Sequence, residues 1–168
     1  EDKQKAFESY KTALKYNIVF AEPHNNIAAL YSKLNQYQNA IEEYKNVLRI
    51  IPDDFQSMST IGDIYFKMGQ MDKSIEWQQK AIAINPKLSR AHHRLGEIYF
   101  SQGAYASSAA CFSRIIEVEP NNISVHIDLG AALLRGGRIK EAKEEFEYVL
   151  RHDPGNTYVH GILRSMAM

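Results

Sequence analysis

The chain has 168 residues, of which 45% are apolar and 24% are charged, as is ordinary for a folded globular protein. Twenty basic residues balance twenty acidic ones, so net charge gives no general attraction for nucleic acid or for an anionic membrane. No stretch of about 18 apolar residues occurs, which argues against a membrane-spanning helix. The single cysteine, Cys111, excludes an internal disulfide framework.

Residues 1–20 predict one amphipathic helix. Ala6, Tyr10 and Ala13 are spaced by four and three residues, which places them on one face of a helix. The same types of residue recur with this spacing in the second half of each later repeat. We therefore expect residues 1–20 to be the second helix of a repeat whose first helix is missing.

Residues 21–156 are organised by a regular period. Four of the five prolines are spaced 34 residues apart: Pro52, Pro86, Pro120 and Pro154. Other positions recur with the same period, which indicates an array of structural repeats. The predicted full repeats are 21–54, 55–88, 89–122 and 123–156. Positions in each repeat are counted from its first residue, so that Ala21 is position 1.

Each repeat predicts a pair of helices. Positions 4, 7, 8 and 11 trace one face of a first helix, and positions 20, 24, 27 and 28 trace one face of a second. Position 8 is small in every repeat, which allows close approach of the two helices: Ala28, Gly62, Gly96 and Gly130. Position 24 is aromatic in three repeats, whereas Gln78 stands there in the second repeat with Trp77 beside it.

The ends of the predicted helices carry stop and start residues. Glycines near position 15, such as Gly69 and Gly103, can adopt the left-handed conformation that closes the first helix. The prolines at position 32 end the second helix. The side chains of Asp53, Asn122 and Asn156 can then cap the next first helix.

Residues 157–168 predict only a first helix. Its apolar side chains Ile162, Leu163 and Met166 would form a face that awaits a partner, since terminal repeats normally have a polar outer face. We therefore expect the chain to be a piece of a longer array.

This pattern resembles the tetratricopeptide repeat (TPR) family over almost the whole chain. The family's unit is a helix–turn–helix of 34 residues with the same small and aromatic positions. The resemblance implies an all-α fold, a right-handed α-solenoid of antiparallel helix pairs called the TPR superhelix. The chain departs from the pattern at Gln78, at Leu133 in place of tyrosine, and at Ile18 in place of proline.

The resemblance also implies a binding surface. First helices in this family line a concave groove that binds extended peptides or partner helices, mainly through positions 2, 5, 6, 9, 12 and 13. The candidate groove residues are Asn25, Asn26, Ser59, Asp63, Arg90, His93, Arg94, Glu97, Asp128 and Arg135. Their mixed charges suit a partner that carries both charges and some apolar side chains.

Two specialised versions of the groove do not fit. The carboxylate clamp of chaperone-binding relatives needs five polar residues, and only Arg90 and Arg94 match, whereas Ala29 and Thr60 do not. The asparagine ladder of the O-linked N-acetylglucosamine transferase is matched at position 6 by Asn26 alone. Arg90 and Arg94 either grip an acidic side chain bidentately or form a solvated pair.

The histidines do not predict a metal centre. Four of them share position 4: His24, His92, His126 and His160. An intervening helix separates equivalent positions by about 8–10 Å, whereas ligands of one zinc ion must converge to about 2 Å from it. We predict that they fill packing positions. His93 and Glu97 share a helix face and predict a solvated pair, because a metal would need a third ligand.

No motif predicts an enzyme. Phosphate-binding loops, nucleophile elbows and paired zinc motifs are absent from the sequence, and Cys111 has no histidine at helical spacing. We therefore expect no catalytic residue, metal or cofactor, and no nucleic-acid or membrane partner. A cytoplasmic location is the expectation for such a chain.

Three functions remain open. The first is a non-enzymatic scaffold that binds a protein or peptide in the groove of the TPR superhelix. The second is a regulatory or substrate-recruiting arm of a larger multidomain enzyme. The third is self-association through the exposed end helices.

Overall fold

The computed structural model describes residues 20–166 together with Lys5 and Thr12. The predicted helix face formed by Ala6, Tyr10 and Ala13 therefore lies outside the described residues. All regular secondary structure within 20–166 is helical, which confirms the predicted all-α fold. The helices are α1 (Ala21–Lys33), α2 (Tyr37–Ile50), α3 (Phe55–Lys67), α4 (Met71–Ile84), α5 (Ser89–Ser101), α6 (Tyr105–Ile116), α7 (Ile123–Arg135), α8 (Ile139–His152) and α9 (Thr157–Met166). None of them has both the length and the apolar character needed to cross a bilayer.

Each turn between a first and a second helix closes through one left-handed residue. Gly69, Gly103 and Gly137 have φ angles of 72°, 75° and 79°, and Asn35 has a φ of 57°. Glycine and asparagine reach this conformation at little cost, whereas most other residues do not. Since all four residues stand at position 15, the same tight reversal recurs in every complete pair of described helices.

Side-chain caps begin three of the first helices. Asn122 and Asn156 each accept a hydrogen bond from the backbone N–H three residues further on, at 3.4 and 3.1 Å. In the second repeat the cap is Asp54, which accepts from the N–H two residues on at 3.3 Å. The prediction of Asp53 as a cap was wrong by one residue, because α3 begins at Phe55 and the cap must immediately precede it.

The chain divides into two compact units, Glu1–Pro86 (unit 1) and Lys87–Met168 (unit 2). In unit 1, a core cluster joins helices α1 to α3 through Ala28, Ile41, Tyr44, Ile61 and Tyr65. In unit 2, the cluster runs from α6 to α9 through Phe112, Leu129, Phe146, Val149 and Val159. Each unit therefore has a buried apolar core of its own.

Glycines at position 8 allow aromatic rings to cross the first helices of unit 2. A Cβ atom on Gly96 would lie 2.7 Å from the ring of Phe112, and one on Gly130 would lie 2.6 Å from the ring of Phe146. Separations below about 3.0 Å do not occur between real Cβ atoms and their neighbours. The backbone of each first helix is therefore in direct contact with an aromatic ring of its second helix.

Gln78 takes the place of that ring in unit 1. Its side chain is fully buried, and its Nε2 atom donates to the Ser59 carbonyl at 3.0 Å and to Asp63 Oδ1 at 3.1 Å. The Ser59 hydroxyl donates to Gln78 Oε1 at 2.8 Å. The polar residue is thus accommodated by hydrogen-bonding groups on the first helix it faces.

Candidate functional site

The first helices of unit 2 carry six of the ten predicted groove residues. They are Arg90, His93, Arg94 and Glu97 on α5, with Asp128 and Arg135 on α7. All six are exposed or partly exposed. Spacings of three and four residues keep the α5 side chains on one side of the helix.

His93 lies between two carboxylates that belong to different helices. Its Nε2 atom is 3.4 Å from Asp128 Oδ2 on α7, and its Nδ1 atom is 3.7 Å from Glu97 Oε2 on α5. These contacts with Asp128 and then Glu97 outweigh partial burial and raise the pKa of His93 to about 9. His93 is therefore an imidazolium at neutral pH.

A pocket opens beside this cluster on the first-helix side of unit 2. Its volume is about 290 Å³. The six lining residues are Glu97 and Phe100 of α5, Phe112 of α6, Asp128 and Ala131 of α7, and Tyr158 of α9. The pocket thus combines three aromatic rings with two carboxylates.

The neighbouring arginines are engaged at the edge of the pocket. Arg94 Nη1 donates to Glu97 Oε2 at 2.5 Å, and this contact with His93 and Arg94 lowers the pKa of Glu97. Arg135 Nη2 donates to the Tyr105 hydroxyl at 2.9 Å, and its guanidinium lies 5.3 Å from the centre of the Tyr105 ring. Both arginines are therefore held by contacts within unit 2.

The four predicted groove residues of unit 1 are placed differently. Asn25 and Asn26 lie on α1 and are partly buried, and Asn25 Oδ1 is within 3.4 Å of the Ser57 hydroxyl. Ser59 and Asp63 are only 1% and 5% exposed, because they hydrogen-bond Gln78. The structure therefore gives Ser59 and Asp63 a place in the packing of α3 against α4.

Three pocket residues are missing from the predicted set of binding residues. Tyr158 stands at position 2 of its repeat, which is one of the groove positions, so the sequence contained a usable signal. Phe100 also stands at a groove position, 12, but it was passed over in favour of charged residues. Phe112 gave no such signal, because it belongs to a second helix and its ring was assigned to helix pairing.

The histidines at position 4 mostly occupy packing positions, as predicted. His24, His92 and His126 are at most 9% exposed. His24 and His126 each contact a glutamate of the following second helix, with Nδ1–Oε2 distances of 2.6 and 2.5 Å to Glu43 and Glu145. His160 differs, since it is exposed and hydrogen-bonds a backbone carbonyl through Nε2.

Nucleophilic and metal chemistry find little support in the described residues. Burial raises the pKa of the Cys111 thiol to about 11, so the thiol is protonated and unreactive at neutral pH. Within residues 20–166, no three His, Cys, Asp or Glu side chains are arranged to hold a metal ion.

Successive helix pairs with a period of 34 residues define a helical-repeat protein of the α-solenoid class. Family models described as "Tetratricopeptide repeat" match residues 21–54 and 99–166, and one described as "TPR repeat" matches residues 62–103. The chain belongs to the tetratricopeptide repeat family. Repeats of this family serve as protein–protein interaction modules.

Solved structures of the same fold are similar to almost the whole chain. A crystal structure of MamA is 24% identical, with a TM-score of 0.80 over 91% of this chain and 90% of that one. The 41-end form of MamA from Desulfovibrio magneticus RS-1 is 21% identical, with a TM-score of 0.77 over 92% and 88%. YrrB, "a TPR protein with an unusual peptide-binding site", is 16% identical, with a TM-score of 0.77 over 97% and 84%. No curated protein sequence matches the chain significantly.

Proposed function

We propose that this protein is a non-enzymatic interaction scaffold that binds a peptide or a partner helix on the first-helix surface of unit 2. The observation that carries the proposal is the pocket of about 290 Å³ between Phe100, Ala131 and Tyr158. Recognition pockets combine apolar walls with a few placed polar groups. This pocket has both, since Glu97 and Asp128 share the lining with the aromatic rings.

Exposure of Tyr158 supports this surface as the binding face. Its side chain is 60% exposed, although it is a large aromatic residue that can contribute substantial contact area to a partner. Aromatic residues are enriched where proteins bind one another. An incoming chain that covered the pocket would remove Tyr158 and Phe100 from water together.

The second helices of unit 2 are a poorer candidate. Their charged side chains pair locally along one helix, as Arg114 with Glu117 at 3.0 Å and Lys143 with Glu147 at 3.7 Å. Such exposed pairs are solvated and contribute little free energy. His93 and Asp128, in contrast, join two helices beside a pocket.

Peptide binding by a related fold is consistent with this proposal. YrrB carries a peptide-binding site according to its description, and it shares the repeat fold with this chain. Its low identity gives no guidance on which residues bind. The choice of Phe100, Ala131 and Tyr158 therefore rests on the geometry of unit 2 alone.

A steric block of the pocket tests the proposal. Ala131 lines the pocket on α7, so the ring introduced by Ala131→Phe would fill the space without changing any charge. The matched control is Ala110→Phe, at an exposed position on the second helix α6. Peptides selected from a random library, long enough to form a helix, are measured against both variants.

The expected result is a loss of affinity of about tenfold or more for Ala131→Phe, since a filled pocket excludes the side chain that it held. Ala110→Phe should bind like the parent protein. Thermal unfolding of both variants checks that the fold is retained. Equal binding by the two variants, or no selected peptide at all, would overturn the proposed function.

A further inference from the structure

We propose that the pocket of unit 2 receives an arginine or lysine side chain of an extended peptide, with its cation on Glu97 and Asp128 and its stem along Phe100 and Tyr158. This inference rests on the proposed function, because it names the occupant of the same pocket. It goes beyond that function by committing to the charge of the partner.

The charge of the lining is the first argument. Glu97 and Asp128 are the charged members of the six lining residues, and both are acidic. The nearest arginine, Arg94, lies at the edge and is tied to Glu97 at 2.5 Å. A carboxylate pair at a pocket wall complements a cation and disfavours an anionic side chain.

The aromatic walls are the second argument. Phe100 and Tyr158 flank the pocket, and the Tyr158 ring is exposed to an incoming chain. The long apolar stems of arginine and lysine cover such rings while the charged head reaches polar groups. Cations are also attracted to aromatic faces. A volume of about 290 Å³ lies at the small end of ligand pockets, which suits one side chain.

His93 is the third argument, because it shows that these carboxylates already hold a cation. Its imidazolium contacts Asp128 on α7 and Glu97 on α5, while its ring edge rests on Phe112 of α6. The charged groups that face it are therefore these two carboxylates, with Arg94 on the far side of Glu97. A peptide cation would compete with His93 for the same oxygens.

This competition gives opposite expectations for neighbouring variants. Asp128→Asn removes an oxygen charge that the peptide cation needs, so binding of a basic peptide should weaken. His93→Gln removes the internal competitor, so binding should strengthen. If His93 served as a direct anion-binding group instead, His93→Gln would weaken the binding of an acidic peptide.

The probes are octapeptide pools with random flanking residues and one fixed central residue, which is arginine, citrulline or glutamate. Citrulline keeps the shape of arginine without its charge. The full chain and its variants are titrated into each labelled pool at constant ionic strength. Glu141→Gln is the matched control, since Glu141 is exposed on α8 and pairs with Arg138 away from the pocket.

We expect the arginine pool to bind about tenfold or more tightly than the citrulline pool, as for a charge-assisted contact. Asp128→Asn should remove most of that difference, Glu141→Gln should preserve it, and His93→Gln should increase it. Affinity of the parent protein for the arginine pool should also rise as the pH rises through about 9, where His93 loses its proton.

Two failures are distinguishable. If Ala131→Phe abolishes binding but the citrulline or glutamate pool binds as well as the arginine pool, the inference about the cation is wrong and the binding surface stands. If Ala131→Phe leaves binding of every pool unchanged, the first-helix surface of unit 2 is not the site, and both proposals fail. A weaker arginine pool on His93→Gln would also overturn the inference.

Discussion

Position 24 of the repeat has two solutions to the same packing problem. In unit 2, Phe112 and Phe146 lie against glycine backbone and bury apolar rings. In unit 1, Gln78 lies against Gly62 in the same way, but its amide requires polar partners. Ser59 and Asp63 supply them, so one polar residue at position 24 changes the role of positions 5 and 9 on the facing helix.

Replacement of Gln78 by leucine should therefore destabilise unit 1, although leucine is apolar and similar in size. The Ser59 hydroxyl and carbonyl and the Asp63 carboxylate would lose the partner they share. The expected cost is about 1–3 kcal/mol, measured by urea denaturation. Gln79→Leu, at the exposed neighbouring position, is the control and should change stability by less than about 0.5 kcal/mol. Equal stability of the two variants would refute a structural role for the amide.

His93 should make stability depend on pH in the alkaline range. Its folded-state pKa is raised from 6.5 to about 9, so its protonated form stabilises the fold. This contribution is complete below pH 6.5 and is lost as the pH rises through about 9. The difference in unfolding free energy between the parent protein and His93→Gln should therefore shrink from pH 6.5 to pH 9.5. A constant difference across this range would show that His93 makes no net ion pair with Asp128 and Glu97.

At the scale of helices, each pair depends on two backbone features that only small residues permit. Position 15 reverses the chain with a positive φ, and position 8 lets the second helix approach the first. Gly161 of α9 stands outside both requirements, since a Cβ atom there would meet nothing within 4 Å. The glycines of the chain are therefore not equivalent.

This difference predicts opposite effects of one substitution. Gly96→Ala would place a Cβ atom 2.7 Å from the Phe112 ring and should destabilise the protein by about 1–3 kcal/mol. Gly161→Ala should stabilise α9 by up to about 1 kcal/mol, because alanine favours helix and meets no obstacle. Thermal or urea unfolding of the two variants decides the matter. A neutral Gly96→Ala variant would contradict the close contact of α5 with α6.

The sequence predicted the helices well because their determinants are local and repeated. The prolines, the residues at position 15 and the small residues at position 8 act through backbone geometry that the period alone exposes. The pairing of His93 with Glu97 was also predictable, as both lie on α5. Its contact with Asp128 was not, because a distance between α5 and α7 depends on how the intervening helix packs.

The burial of Ser59 and Asp63 escaped prediction for a related reason. Both stand at positions that face the groove in the family, so a position rule alone selects them as binding residues. Their actual environment is set by Gln78, a departure from the pattern at a residue 15 positions away from Asp63. A rule based on typical repeats cannot anticipate how neighbours respond to an atypical residue.

At the scale of the whole chain, stability should be distributed unevenly over the repeats. In helical-repeat proteins each repeat contacts mainly its neighbours, so local stability follows the contacts of each helix. In α9, one residue, Val159, is fully buried. In α7, six residues are buried: Val125, His126, Leu129, Gly130, Ala132 and Leu133. Local opening should therefore cost less free energy in α9 than in α7.

Hydrogen exchange measured by mass spectrometry tests this gradient. Amides in residues 157–166 should exchange faster than those in residues 123–135, because fewer buried contacts must break to expose them. Val159→Ala should remove about 1–3 kcal/mol of burial and accelerate exchange in α9 further. Exchange in α1 to α4 is the internal control and should not change, since those helices belong to unit 1. If α9 were protected as strongly as α7, a contact other than Val159 would have to cover it, and the gradient would be refuted.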